Sequence, residues 1–300
     1  MLRLRWLALT TLFGCHRAVE PTPTVLRGDA EAGYGIAIAW HDGDLWVGAP
    51  LRPEGGRLYR GEQLVLTGDG RDLLGNSVAS GPRLAVGAPR AADGRGQVVD
   101  AAGAALATGE PGQGLGARVA WRDTQLVATD RGGVWLGDRA WSLPERGQSL
   151  LSAAIDGAPV VLATSLDGSV WQDGERLLPA DADEAAALAV CDDRLYVAAP
   201  GAREVRVYAI APFVATPLAV VRGPARSVAC AGGALWSGGG GEVWRWEDPL
   251  RDARGRRLGQ GAEGSDLGAS LAVDRDRGAL AAGAPGEGAV WLFDVSASLR

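Results

Sequence analysis

Short apolar runs recur along the chain about every 35–46 residues, and polar or glycine-rich stretches separate them. Four of these runs end in Gly-Ala-Pro or Ala-Ala-Pro, at residues 48–50, 87–89, 198–200 and 283–285. Three further copies have runs ending at Thr129, Thr164 and Gly238 in the corresponding place. A fixed period of this size indicates one supersecondary unit, here repeated seven times.

The second copy shows what one unit contains. It has short runs at residues 76–80, 84–88 and 97–99 and a weaker fourth run at 105–107, and turn residues separate them. None of the runs has the 3.6-residue period of a helix, and their spacing is that of hairpins. The unit is therefore predicted to be four short antiparallel strands.

The third predicted strand of most copies carries an apolar residue followed by an aromatic one. Large aromatic residues at one equivalent strand position usually pack one sheet on the next, and stacking on a sugar or base is the alternative. Packing between sheets is the interpretation we favour, and it accounts for much of the tryptophan content of 11. The pairs are Leu58-Tyr59, Val134-Trp135, Val170-Trp171, Val207-Tyr208, Val243-Trp244 and Val290-Trp291.

Four-stranded sheets repeated in this way predict an all-β fold, a seven-bladed β-propeller over residues 24–296. The last copy ends at its third strand, Val290–Phe293, whereas residues 24–29 resemble the fourth strands of other copies. We therefore expect Val25, Leu26 and Arg27 to complete the seventh blade and close the ring, which leaves no exposed end sheet.

The first residues resemble a bacterial lipoprotein signal. A short basic segment precedes an apolar run from Trp6 to Phe13, which is too short to span a bilayer. Gly14-Cys15 follows, as in the lipobox, in which the cysteine is lipidated and becomes the new N-terminus. The resemblance implies a signal peptide at 1–14, a lipidated tether at 15–23 and, because His16 rather than Asp follows the cysteine, an outer-membrane location. The alternative is an ordinary signal peptide with a chance cysteine.

Composition excludes several kinds of chemistry. All 30 basic residues are Arg, so a lysine base, a Schiff-base lysine and a P-loop lysine are excluded. The two histidines are His16 and His41, and only His41 falls in the predicted folded domain. The net charge is −6 and no basic stripe follows the repeat, so nucleic acid is not an expected partner. The sequence shows no Ser-His-Asp or metal constellation, and we expect a protein that is not an enzyme and holds no cofactor.

The landmarks of the repeat resemble FG-GAP repeats, which build the seven-bladed propeller of integrin α subunits and of many bacterial surface proteins. The resemblance covers about residues 24–294, with Tyr or Leu in place of Phe at the first landmark. It depends on Tyr34-Gly35, Leu74-Gly75, Leu115-Gly116 and Leu267-Gly268, and on the Gly-Ala-Pro segments.

Many members of that family carry a calcium loop between the first two strands of a blade. Calcium needs six to eight oxygen ligands, but the loops here are short. The best-placed metal candidates are Asp274 and Asp276, and the arginines interleaved with them are expected to pair with them instead. The resemblance is to the short-loop bacterial members, which lack the metal.

Two cysteines form a candidate disulfide. Cys191 and Cys230 lie nine residues before Pro200 and Gly239, which the repeat makes equivalent places in adjacent blades. An oxidising envelope would permit a bond, and two buried thiols are the alternative.

These observations predict an envelope-anchored binding or scaffold protein with a protein or glycan ligand at one mouth of the ring, where loops collect. Two alternatives stay open. One is an outer-membrane assembly factor of the propeller-lipoprotein type, and the other is a propeller enzyme such as a lyase or quinoprotein dehydrogenase.

Overall fold

The computed structural model describes residues 22–137, 139–180 and 185–299, and these residues form seven four-stranded antiparallel sheets. The predicted signal at 1–14, the predicted lipidation site Cys15 and most of the tether at 15–23 lie outside the described residues.

The strands follow the repeat in chain order, after a first strand, β1 (Thr24–Arg27). Blades 1 to 3 are β2 (Ala37–His41), β3 (Asp44–Ala49), β4 (Arg57–Arg60), β5 (Gln63–Thr67); β6 (Ser77–Ala79), β7 (Ala85–Ala88), β8 (Gln97–Val99), β9 (Ala105–Thr108); and β10 (Arg118–Arg122), β11 (Gln125–Thr129), β12 (Gly133–Leu136), β13 (Arg139–Ser142). Blades 4 to 6 are β14 (Gly147–Ile155), β15 (Ala158–Ser165), β16 (Val170–Gln172), β17 (Glu175–Leu178); β18 (Ala187–Cys191), β19 (Arg194–Ala199), β20 (Glu204–Ala209), β21 (Ala219–Arg222); and β22 (Ser227–Ala231), β23 (Ala234–Gly239), β24 (Glu242–Trp246), β25 (Arg256–Gln260). Blade 7 contains β26 (Leu271–Asp274), β27 (Ala279–Ala284) and β28 (Ala289–Asp294), and single helical turns occur at Ala91–Gly94 and Ser296–Ser298.

The blades form a closed ring. The first strand of blade 1, β2, contacts both β6 of blade 2 and β26 of blade 7. The seventh sheet has the order β1-β28-β27-β26, with Thr24 opposite Leu292 and Arg27 opposite Ala289. The predicted fold class and the predicted closure by the N-terminal strand are confirmed.

The two faces of the ring carry different connections. One face holds the tight turns between first and second strands, such as Asp42-Gly43, and we call it the turn face. The opposite face holds the Gly-Ala-Pro segments and the links between blades, and we call it the Gly-Ala-Pro face. Asp42 and Gly43 both have positive φ, 50° and 76°, which matches the type I′ turn that joins two-residue hairpins.

The core lies between the blades. Tyr34 and Tyr59 of blade 1 pack with Ala281 and Val290 of blade 7. Between blades 6 and 7, Trp236 packs with Leu280 in the same manner. Each blade is thus hydrophobic on both faces, and burial of those faces against neighbouring blades stabilises the ring as a unit.

The Gly-Ala-Pro glycine is a contact point between blades. A Cβ on Gly48 would lie 2.0 Å from the carbonyl oxygen of Gly75 in blade 2, and a Cβ on Gly283 would lie 2.0 Å from that of Gly35 in blade 1. The first landmark of one blade therefore abuts the second landmark of the preceding blade. This backbone contact explains why glycine occurs at both landmarks.

A serine hydroxyl reinforces this contact at three blade boundaries. Ser77 Oγ donates to the carbonyl of Gly116 (3.1 Å), Ser227 Oγ to that of Gly268 (2.7 Å) and Ser270 Oγ to that of Gly35 (2.8 Å). Ser77 and Ser227 begin the first strands of their blades and Ser270 directly precedes one, and each serine reaches the next blade around the ring. The bonds satisfy carbonyl groups that glycine packing has removed from water.

The less regular copies use threonine instead. Thr129 and Thr164 occupy the place of the Gly-Ala-Pro glycine in blades 3 and 4, since Thr129 pairs with Arg118 as Gly48 pairs with Ala37. Their Oγ1 atoms accept from the backbone N–H groups of Arg118 and Ser149, each at 3.0 Å. A bond inside the blade thus replaces the glycine contact, which accounts for the loss of the repeat landmark there.

The third-strand aromatics pack each blade on the preceding one, as predicted. Trp135 contacts the cluster between blades 2 and 3, and Trp171 the cluster between blades 3 and 4. The assignment for blade 5 was wrong by two residues. Val205 pairs with Ala198 as Leu58 pairs with Gly48, so Arg206 and not Tyr208 occupies the equivalent aromatic place.

Candidate functional site

Cys191 and Cys230 form a disulfide between blades 5 and 6, with Cα atoms 6.1 Å apart. The two positions are not equivalent in their blades, so the equivalence predicted from the repeat was wrong. Cys191 pairs with Arg194 at the hairpin end of β18, whereas the corresponding residue of β22 is Ala231. The cysteines are therefore offset by one residue.

The metal candidate Asp274 ends β26, and Asp276 lies in the turn that follows. Asp274 Oδ1 accepts from the backbone N–H groups of Asp276 (3.0 Å) and Arg277 (3.1 Å), and Arg277 lies 3.7 Å from its other oxygen. Arg277 also covers the ring of Trp40, 5.7 Å from its centroid. Asp274 thus caps the turn and pairs with an arginine. Within the described residues, no group of three or more His, Cys, Asp or Glu side chains is arranged to hold a metal ion.

The structure brings His41 close to a serine of the next blade, which the sequence did not connect with it, and to the adjacent acid. His41 Nδ1 lies 3.1 Å from Ser80 Oγ of blade 2, and its Nε2 lies 3.5 Å from Asp42. The Asp42 side chain is 89% exposed, so water competes for the carboxylate. The distance of 3.5 Å also exceeds that of a strong hydrogen bond. These contacts join the turns of blades 1 and 2, and they lack the buried orienting acid of a catalytic triad.

The Gly-Ala-Pro face has a cavity of about 340 Å³ at the boundary of blades 2 and 3 that is lined by three exposed arginines. We call it the arginine cavity. Its charged lining residues are Arg90, Arg131, Arg146 and Asp130. In the described part of the chain, none of the three guanidinium groups forms an ion pair with a carboxylate.

Three different connections place these arginines. Arg90 directly follows the Gly-Ala-Pro segment of blade 2, and its N–H donates to the carbonyl of Asp72 (3.0 Å). Arg131 follows β11, and its N–H donates to the carbonyl of Gln113 (3.3 Å). Arg146 immediately precedes β14. Ring closure brings these three loop ends to one mouth.

Asp130 accepts hydrogen bonds from backbone and side-chain donors and forms no ion pair with the arginines. Its Oδ1 accepts from the N–H groups of Gly132 (2.8 Å) and Gly133 (2.7 Å). Its Oδ2 accepts from Gln113 Nε2 (2.9 Å) and Trp135 Nε1 (2.6 Å). Four donors occupy the carboxylate, which is 8% exposed as a residue. Asp130 thus fixes the loop that presents Arg131.

The arginines of blade 1 show the opposite arrangement. Arg52 donates two hydrogen bonds to Asp29 through Nε (2.8 Å) and Nη2 (2.9 Å), and Arg57 donates a third at 2.7 Å. Burial alone would raise the pKa of Asp29, but the bond from Arg52, the backbone N–H of Ala32 and the charges of both arginines lower it below its usual value. These arginines are neutralised within the chain, whereas those of the arginine cavity are not.

A fourth arginine lies behind the cavity. Arg118 on β10 is half-buried, and it donates to the carbonyls of Gln148 (2.5 Å) and Ala117 (2.8 Å). Desolvation by burial lowers the pKa of Arg118, and the positive charge of Arg146 lowers it further. Ala117 lines the cavity, so positive charge lies both on its rim and beneath its wall.

The sequence predicts a ligand at one mouth of the ring but does not single out these arginines. A signal was present, because Arg90 and Arg131 both follow the second strand of their blade within two residues. Arg52 occupies a similar place in blade 1, and only the structure shows that Asp29 neutralises it.

No helix in the described ranges combines the length and apolar character that crossing a membrane requires.

No family model and no curated protein matches the chain. Solved structures do match. One chain in the crystal structure of the mitotic checkpoint complex superposes with a TM-score of 0.70 at 15% identity, over 98% of both chains. The computationally designed Ika8 protein superposes with a TM-score of 0.56 at 18% identity, over 85% of this chain and 81% of that chain. At these identities the likeness shows the fold alone, a β-propeller.

Proposed function

We propose that the protein is an envelope-anchored binding or scaffold protein whose Gly-Ala-Pro face receives the ligand. The observation that carries the proposal is the difference between the faces of the ring. The Gly-Ala-Pro face has a cavity with unneutralised arginines, while the chain enters the ring from the side of the turn face. The proposal therefore puts the anchor and the binding surface on opposite faces of the ring.

The position of β1 supports this separation. Thr24 lies opposite Leu292, toward the end of β28 that leads to the turn face, and Arg27 lies opposite Ala289 at the other end. The chain therefore enters β1 from the turn face. Cys15 precedes Thr24 by nine residues, which span at most about 30 Å when extended. A lipid on Cys15 would hold the turn face toward the membrane.

The resemblance to FG-GAP repeats gives the proposal its bacterial and surface context. The landmarks that carry the resemblance are the glycines at the contacts between blades, so they belong to the ring and not to a ligand site. Fold analogy supplies the class of protein, and the arginine cavity supplies the surface. A protein or glycan ligand is part of the proposal.

Binding is favoured over catalysis by the geometry of the one histidine among the described residues. The contact of His41 with Ser80 is the nearest approach to a nucleophile and base, and its acid, Asp42, is solvated. An outer-membrane assembly role would appear as a specific partner in the capture experiment.

The test has two parts. Metabolic labelling with a radioactive or clickable fatty acid should label the full chain and not Cys15→Ser, and the label should fractionate with the outer membrane. Crosslinking on intact cells followed by pull-down should then capture a partner with the full chain. Failure to label would overturn the anchor. A captured set identical to that of an unrelated outer-membrane lipoprotein would overturn the binding role.

A further inference from the structure

The arginine cavity has the charge and the donors of a site for a doubly charged oxyanion. Arg90, Arg131 and Arg146 face one carboxylate, Asp130, whose oxygens already accept four hydrogen bonds. Each guanidinium presents five N–H donors in a planar fork. Among the residues that line this cavity, donors and an excess of about two positive charges are therefore unmatched.

Charge selects among oxyanions. A phosphate ester carries about −1.5 to −2 charges at pH 7 and three acceptor oxygens, whereas a carboxylate carries about −1. The excess of positive charge at the cavity matches the phosphate, and the half-buried Arg118 behind Ala117 adds to it. Arginine binds phosphate through two parallel N–H bonds, which adds directional selectivity.

The size of the cavity is consistent with this ligand. A volume of about 340 Å³ lies at the lower end of the range for small-molecule sites. The three arginines are exposed, so their guanidinium groups are accessible to a ligand. Hydrogen bonds from the backbone N–H groups of Arg90 and Arg131 fix their loop ends, and the adjacent strand β14 fixes that of Arg146.

We propose that the arginine cavity binds the phosphate group of a phosphomonoester ligand through Arg90, Arg131 and Arg146. This inference rests on the proposed binding function of the Gly-Ala-Pro face and names the chemistry of its ligand. A phosphorylated glycan and a phosphorylated small molecule both present this group.

The experiment is a titration of the purified full chain with inorganic phosphate at low ionic strength. Binding is measured by calorimetry and by the ³¹P line width. Acetate serves as the singly charged comparison. We expect phosphate to bind at least about tenfold more tightly than acetate, and Arg131→Gln and Arg146→Gln each to weaken phosphate binding about tenfold. Arg131→Lys keeps the charge without the fork and should give an intermediate loss.

Arg254→Gln is the matched control, because Arg254 is exposed in the loop between β24 and β25 on the turn face and the substitution changes the charge equally. It should leave phosphate binding within twofold. Equal binding of phosphate and acetate, or equal losses in Arg254→Gln and Arg131→Gln, would overturn the proposal, and so would the absence of phosphate binding.

Glucose 6-phosphate and a phosphorylated glycan, compared with glucose and the unphosphorylated glycan, distinguish the two ligand sources. The outcomes also separate this inference from the proposed function. Phosphate binding without a captured envelope partner supports the site and removes the scaffold role. A partner captured equally by the full chain and by Arg131→Gln, with no phosphate bound, supports the scaffold role and removes the site.

Discussion

Cys191 and Cys230 face each other because their positions in adjacent inner strands differ by one residue. Successive side chains of a strand point to opposite faces, so equivalent residues of two blades point in the same direction around the ring. Ala189 and Cys191 contact the cluster between blades 5 and 6, whereas Val190 contacts the cluster between blades 4 and 5. Cys230, equivalent to Val190, points back toward blade 5 and meets Cys191.

The disulfide should stabilise the ring by closing a loop of 39 residues. We expect Cys191→Ser/Cys230→Ser, or reduction of the wild type, to lower the free energy of unfolding by about 2–4 kcal/mol. Thermal melting with and without reductant measures the loss, and alkylation followed by mass spectrometry measures the bond. Two alkylatable thiols at these positions in the native protein would show that the bond is absent.

The one-residue offset can be tested by moving one cysteine. Val190→Cys/Cys191→Ala places the thiol on the blade 4 side of β18, facing away from Cys230. We expect both thiols of this variant to be alkylated under conditions in which the wild type is protected. Protection of the shifted pair would contradict the orientation described here.

The glycine contact between blades should tolerate no side chain. Gly48→Ala places a methyl group 2.0 Å from the carbonyl oxygen of Gly75, and both sides of this contact are backbone. We expect a loss of about 1–3 kcal/mol or more, seen as a lower denaturation midpoint in urea. Gly132→Ala is the matched control, since no heavy atom lies within 4 Å of its Cβ. Its effect should stay within about 0.5 kcal/mol. Equal effects of the two would refute the contact.

Removal of β1 should open the ring rather than shorten it. A chain without residues 24–27 loses the ladder to β28 and the packing of Val25 and Leu26. We expect at least about 3 kcal/mol of destabilisation. Hydrogen exchange should show faster exchange of the β28 amides and of the blade 1 and blade 7 faces. Melting close to that of the full chain, with unchanged exchange in β28, would argue against closure by this strand.

Asp29 should make the protein sensitive to acid. Its pKa is lower in the folded state, so it stabilises the fold above its ordinary value of 3.8, and this contribution is lost as the pH falls from 3.8 through the folded value. Asp29→Asn should therefore be less stable than the wild type at pH 7, and the difference should shrink as the pH falls below 3.8. Urea titrations at a series of pH values test this. The exposed Glu263→Gln gives the background, and a difference independent of pH would contradict the linkage.

The repeat and its closure could be predicted because they depend on local patterns. Alternating apolar runs fix the strands, and the likeness of residues 24–29 to other fourth strands marks the closing segment. The offset of the cysteines was missed because a shift of one residue in a hairpin register leaves the repeat pattern unchanged but reverses the side-chain direction. Tyr208 was misassigned for a related reason. A shift of two residues keeps the side-chain direction and changes only the position along the strand.

The arginine cavity could not be predicted because its residues lie in three separate connections. Arg90, Arg131 and Arg146 meet only after the ring has closed. The sequence also does not distinguish Arg52, which Asp29 neutralises across 23 residues, from Arg131, whose neighbouring acid is committed to other donors. Both distinctions depend on tertiary contacts of side chains.

The pairing of β1 with β28 also determines when the propeller ring can close during synthesis. Thr24 leaves the ribosome well before its partner Leu292, which lies at the other end of the propeller. Six blades can form from contiguous chain, while the seventh waits for its last strand. A stop codon at position 289 would therefore remove β28 with everything after it, and it would leave β1 without a partner and blade 7 with its first two strands alone.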